Sequence, residues 1–306
     1  MKKVIYRLAS LFFLFFLLIN PKLSIEGAKT GLLFWFNILV PTLLPFLIGS
    51  NLILSLQAQK YITFFLEKPL RWFAHLSESG CYTFFIGLLC GYPMGAKTCN
   101  DLLTNGQLEK KEAEYLLSFC NHASPMFLCG FVMFILPVSH SRLFLLAYYL
   151  PILFFMFIGK YVYGIKRPVK MSHHHAEKTN LTFNLLDQSI HNALETILKI
   201  GGHIIFFSIL ESWFLLLPIS QPLVKTLLLA GTEMTTGIVS IHQFYPASTL
   251  GEILALAACA FGGLSGISQS KAVLKNSQLS IVPYITGKII HSLLAVFFFL
   301  IGLSVL

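Results

Sequence analysis

Apolar runs at about 4–20, 31–56, 113–137, 142–164, 190–217, 250–270 and 281–304 dominate this chain. A bilayer core is crossed by roughly 20 apolar residues as a helix, because lipid offers no partner for an unpaired backbone N–H or C=O. The runs predict an all-α integral membrane fold of about seven transmembrane helices. Composition agrees where it decides the matter. Charged residues make up 11% of the chain, against roughly 25% in soluble domains, too few to cover a water-facing surface. The first run follows Lys2, Lys3 and Arg7 and leads into Asn20-Pro21-Lys22 without a small-x-small cleavage site. Residues 1–30 therefore read as an uncleaved signal-anchor helix.

The formal net charge is +9. Its distribution carries topology, since Lys and Arg collect in cytoplasmic loops. With the N-terminus cytoplasmic, Lys60, Lys68, Arg71, Lys97, Lys110, Lys111, Lys166, Arg167, Lys170, Lys178, Lys271 and Lys275 fall inside. Lys22, Lys29, Arg142 and Lys225 fall outside. No basic stripe with interleaved aromatics lies outside the spans, which excludes nucleic acid as a partner.

Two polar islands interrupt the apolar pattern, and the pair occurs twice. Gly91-Tyr92-Pro93-Met94-Gly95-Ala96-Lys97 is followed by Phe119-Cys120-Asn121-His122-Ala123-Ser124-Pro125. About 140 residues later, Ala230-Gly231-Thr232-Glu233-Met234-Thr235-Thr236-Gly237 is followed by Phe261-Gly262-Gly263-Leu264-Ser265-Gly266-Ile267-Ser268-Gln269. The pieces at about 81–97 and 226–241 are marginal for spanning and carry Gly or Pro, so they read as re-entrant hairpins or broken helices. Each half is then one span, a re-entrant piece and two more spans. The charge placement starts the first half outside and the second inside, so the repeats are inverted, a transporter design. Residues 31–164 form the first repeat, 165–185 a cytoplasmic linker and 186–306 the second repeat.

Irregular backbone at membrane depth persists where it lines a cavity, so the islands supply the candidate substrate-binding residues. A helix starting after Pro93 and Gly95 exposes free N–H groups near Lys97, which together suit an anion. Asn121, His122 and Ser124 precede Pro125, which frees a carbonyl four residues upstream. Glu233, with Thr235 and Ser265, suits a coupling cation, H⁺ or Na⁺. Gln269 offers a carboxamide beside closely packing glycines. Glu211, next to Trp213, reads as an interfacial residue, and His203 as a packing residue. His173-His174-His175 read as part of a solvated linker, with no metal. Cys81, Cys90, Cys99, Cys120, Cys129 and Cys259 form no CxxC pair and read as small buried thiols. Walker A, HExxH and GxSxG patterns are absent, so the chain reads as no enzyme, with no bound cofactor.

At the four islands the chain resembles the sporulation integral membrane proteins of the YlbJ (SpoVV) type, within the group carrying nucleoside-recognition Gate domains. The residues concerned are 91–97, 119–121, 233–237 and 261–265. The family's Cys-Asn-Asn-Ser-Gly-Pro pattern reads here Cys120-Asn121-His122-Ala123-Ser124-Pro125, and Ile267 stands where His is common. The resemblance implies two Gate-like repeats and passage of a small solute. For sporulation members that solute is dipicolinic acid, moved across the outer forespore membrane. The residues leave a nucleoside or nucleobase carrier and a non-transporting membrane assembly factor as alternatives. A plasma membrane location stays open beside the forespore one. The expected partners are the solute and the lipid bilayer.

Overall fold

The computed structural model describes residues 2–56, 58–166, 183–274 and 278–305. Most of the expected polar linker, with His173-His174-His175, lies outside the described residues. Every regular element among the described residues is helical. Helix α1 (Lys2–Ile19) is followed by α2 (Pro21–Phe34), which passes through a π-helical turn, Trp35–Leu39, into α3 (Val40–Ser55). Then come α4 (Gln59–Ala74), α5 (Glu78–Cys90), α6 (Met94–Thr104) and α7 (Lys110–Leu117). Short helices α8 (Pro125–Phe127) and α9 (Met133–Ile135) flank a second π-turn and lead to α10 (Ser141–Val162). The remainder holds α11 (Phe183–Phe214), α12 (Pro222–Thr232), α13 (Met234–Phe244), α14 (Thr249–Phe261), α15 (Gly263–Val273) and α16 (Val282–Val305).

Among the described residues, five stretches are long and apolar enough to cross a bilayer: Pro21–Ser55, Ser141–Val162, Phe183–Phe214, Thr249–Val273 and Val282–Val305. The expected span at 4–20 falls on α1, which includes the shorter apolar stretch Ser10–Ile19. One of the seven expected spans is a different object. The expected span at 113–137 stops at Leu117 and resumes at Pro125. Pro125 does not kink a continuous helix; it opens a new one, where its missing N–H costs nothing. Ser124 Oγ caps that helix by accepting from Phe127 N at 3.2 Å.

The pieces at 81–97 and 226–241 do turn back. α5 packs along α6, and α12 along α13. In the second hairpin a Cβ on Gly237 would overlap the Ala230 backbone, so glycine sets how closely the two arms approach. α4 was expected to be a loop. It is an amphipathic helix that exposes Tyr61, Phe64, Phe65 and Trp72 while burying Thr63 and Ala74. Exposed aromatics beside Arg71 suit a helix lying in the membrane interface.

Small residues hold the longest pair together. Ser24, Gly27 and Gly31 of α2 face Ser208 and Ser212 of α11, and Trp213 Nε1 donates to Ser24 Oγ at 3.2 Å. Lipid gives no hydrophobic drive between helices, so close backbone packing has to supply the attraction. Gly27→Leu is expected to cost about 1–3 kcal/mol through overpacking, read as a lower melting temperature in detergent. Gly49→Leu, at an open position, is expected to leave it unchanged.

Candidate functional site

The four islands meet in space. The turn between α5 and α6 lies on the gap between α7 and α8, where Tyr92 N donates to His122 O at 3.0 Å. The Cys120 carbonyl is wedged between Gly87 and Gly95; a Cβ on either would stand well under 3.0 Å from its oxygen. In the other half, the tip between α12 and α13 lies on the gap between α14 and α15, and Gly263 sits against the Thr232 carbonyl. Gly262 and Gly263 break that helix with φ of 79° and 69°, left-handed values that glycine adopts without a Cβ penalty. Tyr92 joins the halves. Its hydroxyl donates to Met234 Sδ at 3.5 Å, and its ring lies against Gly262 and Gly266.

The polar backbone at this crossing is well satisfied. Asn121 Oδ1 accepts from Ala96 N at 2.7 Å. Ala123 N donates to Tyr148 Oη at 2.6 Å, and Tyr149 Oη donates to Ala123 O at 3.3 Å. Asn121 thus fills the first turn of α6, together with the Gly91 carbonyl that accepts from Met94 N. Two of the first N–H groups of α6 are thus taken, Met94 N by Gly91 O and Ala96 N by Asn121 Oδ1.

Two cavities adjoin the crossing. The first, about 260 Å³, is walled by Phe34, Leu39, Thr42, Tyr92, Phe127 and Phe131, with Ser124, Glu233, Thr235 and Gln269 as polar members. The second, about 420 Å³, is lined by Asn51, Lys97, Asp101, Asn192, Glu195 and Lys199. Of the sequence candidates, Ser124, Glu233, Thr235 and Gln269 line the first cavity, and Lys97 lines the second. Pro93, Gly95, Asn121, His122 and Ser265 are named on neither wall. Lys97 is held by Asp101 Oδ2 at 2.6 Å and by Asn51 Oδ1 at 3.2 Å, so its charge is already balanced.

Glu233 is the cap of α13. Its Oε2 accepts from Thr235 N at 2.8 Å, from Thr236 N and Thr236 Oγ1 at 3.1 Å each, and from Thr235 Oγ1. Ser265 does not join it; Ser265 Oγ accepts from Gln269 Nε2 at 2.9 Å. Glu211, expected at an interface, is buried, and neither of its oxygens has a hydrogen-bond partner among the described residues. Glu233 and Thr236 lie close to it. Trp213 misdirected that expectation, because it is buried on Ser24 rather than anchored in headgroups. Glu252 is a structural pin, accepting from Ser139 N at 2.6 Å and meeting His140 Nδ1 at 3.2 Å. The cysteines are free and buried, apart from Cys129, which is exposed. Among the described residues, no cluster of three metal-ligating side chains forms.

The chain is similar to the sporulation integral membrane protein YlbJ of Bacillus subtilis (strain 168). The two are 26% identical over 342 residues, which covers 97% of this chain and 83% of the relative. This likeness supports a YlbJ-type protein. No family profile matches it, and no solved structure does. The likeness covers the hairpins, the gaps and the long helices alike.

The islands drew attention away from Lys288 and His291 of α16. Both are buried beside the crossing, and the Lys288 Nζ has no hydrogen-bond partner among the described residues. A lone lysine inside the apolar run 281–304 was the available signal, because an ionisable group at membrane depth is a functional candidate by default.

Proposed function

We propose that this YlbJ-type chain is a transporter that carries a small anionic or heteroaromatic solute across a bacterial membrane. Alternating access arises from rocking of two inverted repeats. The observation that carries this reading is the convergence of all four islands, two from each half, on the wall of one small cavity. Non-helical backbone in a membrane protein belongs where it lines such a space, at the interface between repeats. A cavity of about 260 Å³ lies just under the roughly 300–1,000 Å³ of pockets for drug-sized ligands, which suits a small, compact solute.

The second cavity supports a path. Thr42 and Phe46 of α3 line the first space, while Asn51 and Ser55 line the second. On α15, Gln269 belongs to the first, and Ala272 and Val273 to the second. Nine residues of helix, from Thr42 to Asn51, climb about 13 Å, so a polar vestibule and an apolar chamber succeed one another along the same helices. The charge placement puts the vestibule on the cytoplasmic side. Resemblance to the sporulation members supports dipicolinic acid as the solute and the outer forespore membrane as the site.

Vesicles carrying the purified protein are expected to take up dipicolinate, with unlabelled dipicolinate competing and nucleosides not. Lys97→Ala is expected to slow entry several-fold by altering the vestibule without removing uptake. Competition by nucleosides alone would move the substrate class to nucleosides. Absence of uptake for any small solute, with a protein partner retained in pull-down, would make the chain an assembly factor.

A further inference from the structure

Among the described residues, the buried Lys288 amine has no polar partner. Its side chain is 3% exposed, and among the described residues Nζ has neither a hydrogen bond nor a carboxylate partner. Two aromatic faces hold it instead, the Tyr92 ring at 5.0 Å and the Tyr284 ring at 5.8 Å. An uncompensated charge in a low-dielectric interior is costly, and aromatic faces offset only part of that cost.

A second orphan lies beside it. His122 is 1% exposed, its Nε2 has no hydrogen-bond partner, and it is near enough to Lys288 and His291 to feel their charge. His291 is already engaged, Nε2 meeting Tyr148 O at 2.7 Å. Two unpartnered nitrogens, one in the gap between α7 and α8 and one on α16, thus share one interior region. Lys288 also approaches Gly262, where a Cβ would lie 3.5 Å from Nζ. This places the amine at the helix gap of the second half.

Tyr92 links this region to the solute chamber. It lines the cavity of about 260 Å³, while Lys288 and His122 do not. It also carries the Lys288 amine on its ring. Gly262 and Gly266 leave the ring bordered by glycine at two points, and its hydroxyl is tied only by the weak bond to Met234 Sδ. Tyr92 is thus the side chain shared by the chamber wall and the Lys288 amine.

We propose that Lys288 and His122 form the anion subsite of the transported solute, recognising a carboxylate, with Tyr92 as the movable aromatic wall between subsite and chamber. The proposal rests on the transport reading above and replaces Lys97 as the charged contact. A carboxylate entering the subsite gains a charge-assisted bond from Nζ and a donor from the imidazole. An aromatic ring attached to it lies against Tyr92 and Tyr284. A neutral solute of the same size leaves the amine unpaired and is discriminated against.

The test is binding of dipicolinate, with benzoate and an uncharged dicarboxamide as comparators, to the purified full chain in detergent, read by ligand-induced thermal shift and by titration. Wild type is expected to be stabilised by both carboxylates and not by the amide. Lys288→Met is expected to melt at or above the unliganded wild-type temperature and to bind at least tenfold more weakly. Lys288→Arg is expected to retain part of the affinity, and Tyr92→Ala to speed association. If wild type binds carboxylates and Lys288→Met binds them equally well, the subsite is wrong while the transport reading stands. If Lys288→Met melts well below wild type without ligand, Lys288 is structural and the proposal falls. If wild type binds no carboxylate, the anionic reading and the subsite fail together.

Discussion

Gly87→Leu is expected to yield a chain that does not accumulate in the membrane as a folded protein. Even the first carbon of the new side chain would stand inside the Cys120 carbonyl oxygen. That carbonyl belongs to the irregular segment between α7 and α8, whose backbone is fixed by Tyr92 N, Tyr148 and Tyr149 and whose Asn121 side chain is held by Ala96 N. A flexible side chain yields to an added methyl, whereas a bonded main chain does not. Overpacking ordinarily costs about 1–3 kcal/mol. Here the displaced segment also gives up several buried hydrogen bonds at about 1–3 kcal/mol for each group left unsatisfied, a sum comparable to a domain's whole stability of about 5–15 kcal/mol. Gly287→Leu on α16, aimed at the Ser118 carbonyl of the same segment, is expected to behave alike. Gly202→Leu, facing open space on α11, is the control. Size-exclusion profiles of a fluorescent fusion in detergent measure all three. A monodisperse Gly87→Leu peak of wild-type height would refute the close nesting of hairpin and gap.

Which features were legible follows from how many residues each needed. The hairpins were readable because Gly91 and Pro93 limit a helix by backbone chemistry alone, and short apolar pieces cannot span. The gap at 118–124 was not, because a single Pro125 after three polar residues reads equally well as a kink; tertiary bonds from α6 and α10 make it a gap. The balance of Lys97 was available in principle, since Asp101 lies four positions later on the same helix face. Glu211 was misjudged through Trp213, an aromatic that reports an interface only when exposed. Lys288 was missed because a lone lysine in an apolar run carries no motif, and its meaning lies in Tyr92, 196 positions away in the chain, at 5.0 Å.

Glu233 separates cap from charge, and the expected outcomes diverge sharply. Glu233→Ala removes one oxygen that accepts four hydrogen bonds from Thr235 and Thr236. Losing an N-cap costs about 0.5–2 kcal/mol, and the buried donors left behind add about 1–3 kcal/mol each, so a large fall in melting temperature is expected. Glu233→Gln keeps an accepting oxygen in the same place and is expected to fold. Its neighbour Glu211 has nothing to lose in this respect. Both its oxygens lack hydrogen-bond partners among the described residues, so Glu211→Gln removes a buried acid that makes no bond and is expected to match or exceed wild type in stability. The two carboxyls lie close together in a low-dielectric interior, where two like charges repel strongly and a shared cation or proton relieves them. If that cation couples transport, Glu211→Gln and Glu233→Gln each leave the solute path open but uncouple it. Vesicles with an imposed proton or sodium gradient are then expected to concentrate dipicolinate with wild type, and only to equilibrate it with either glutamine variant. Concentrative uptake by Glu211→Gln equal to wild type would remove the carboxyl pair from the coupling step and leave Glu233 as the cap of α13 alone.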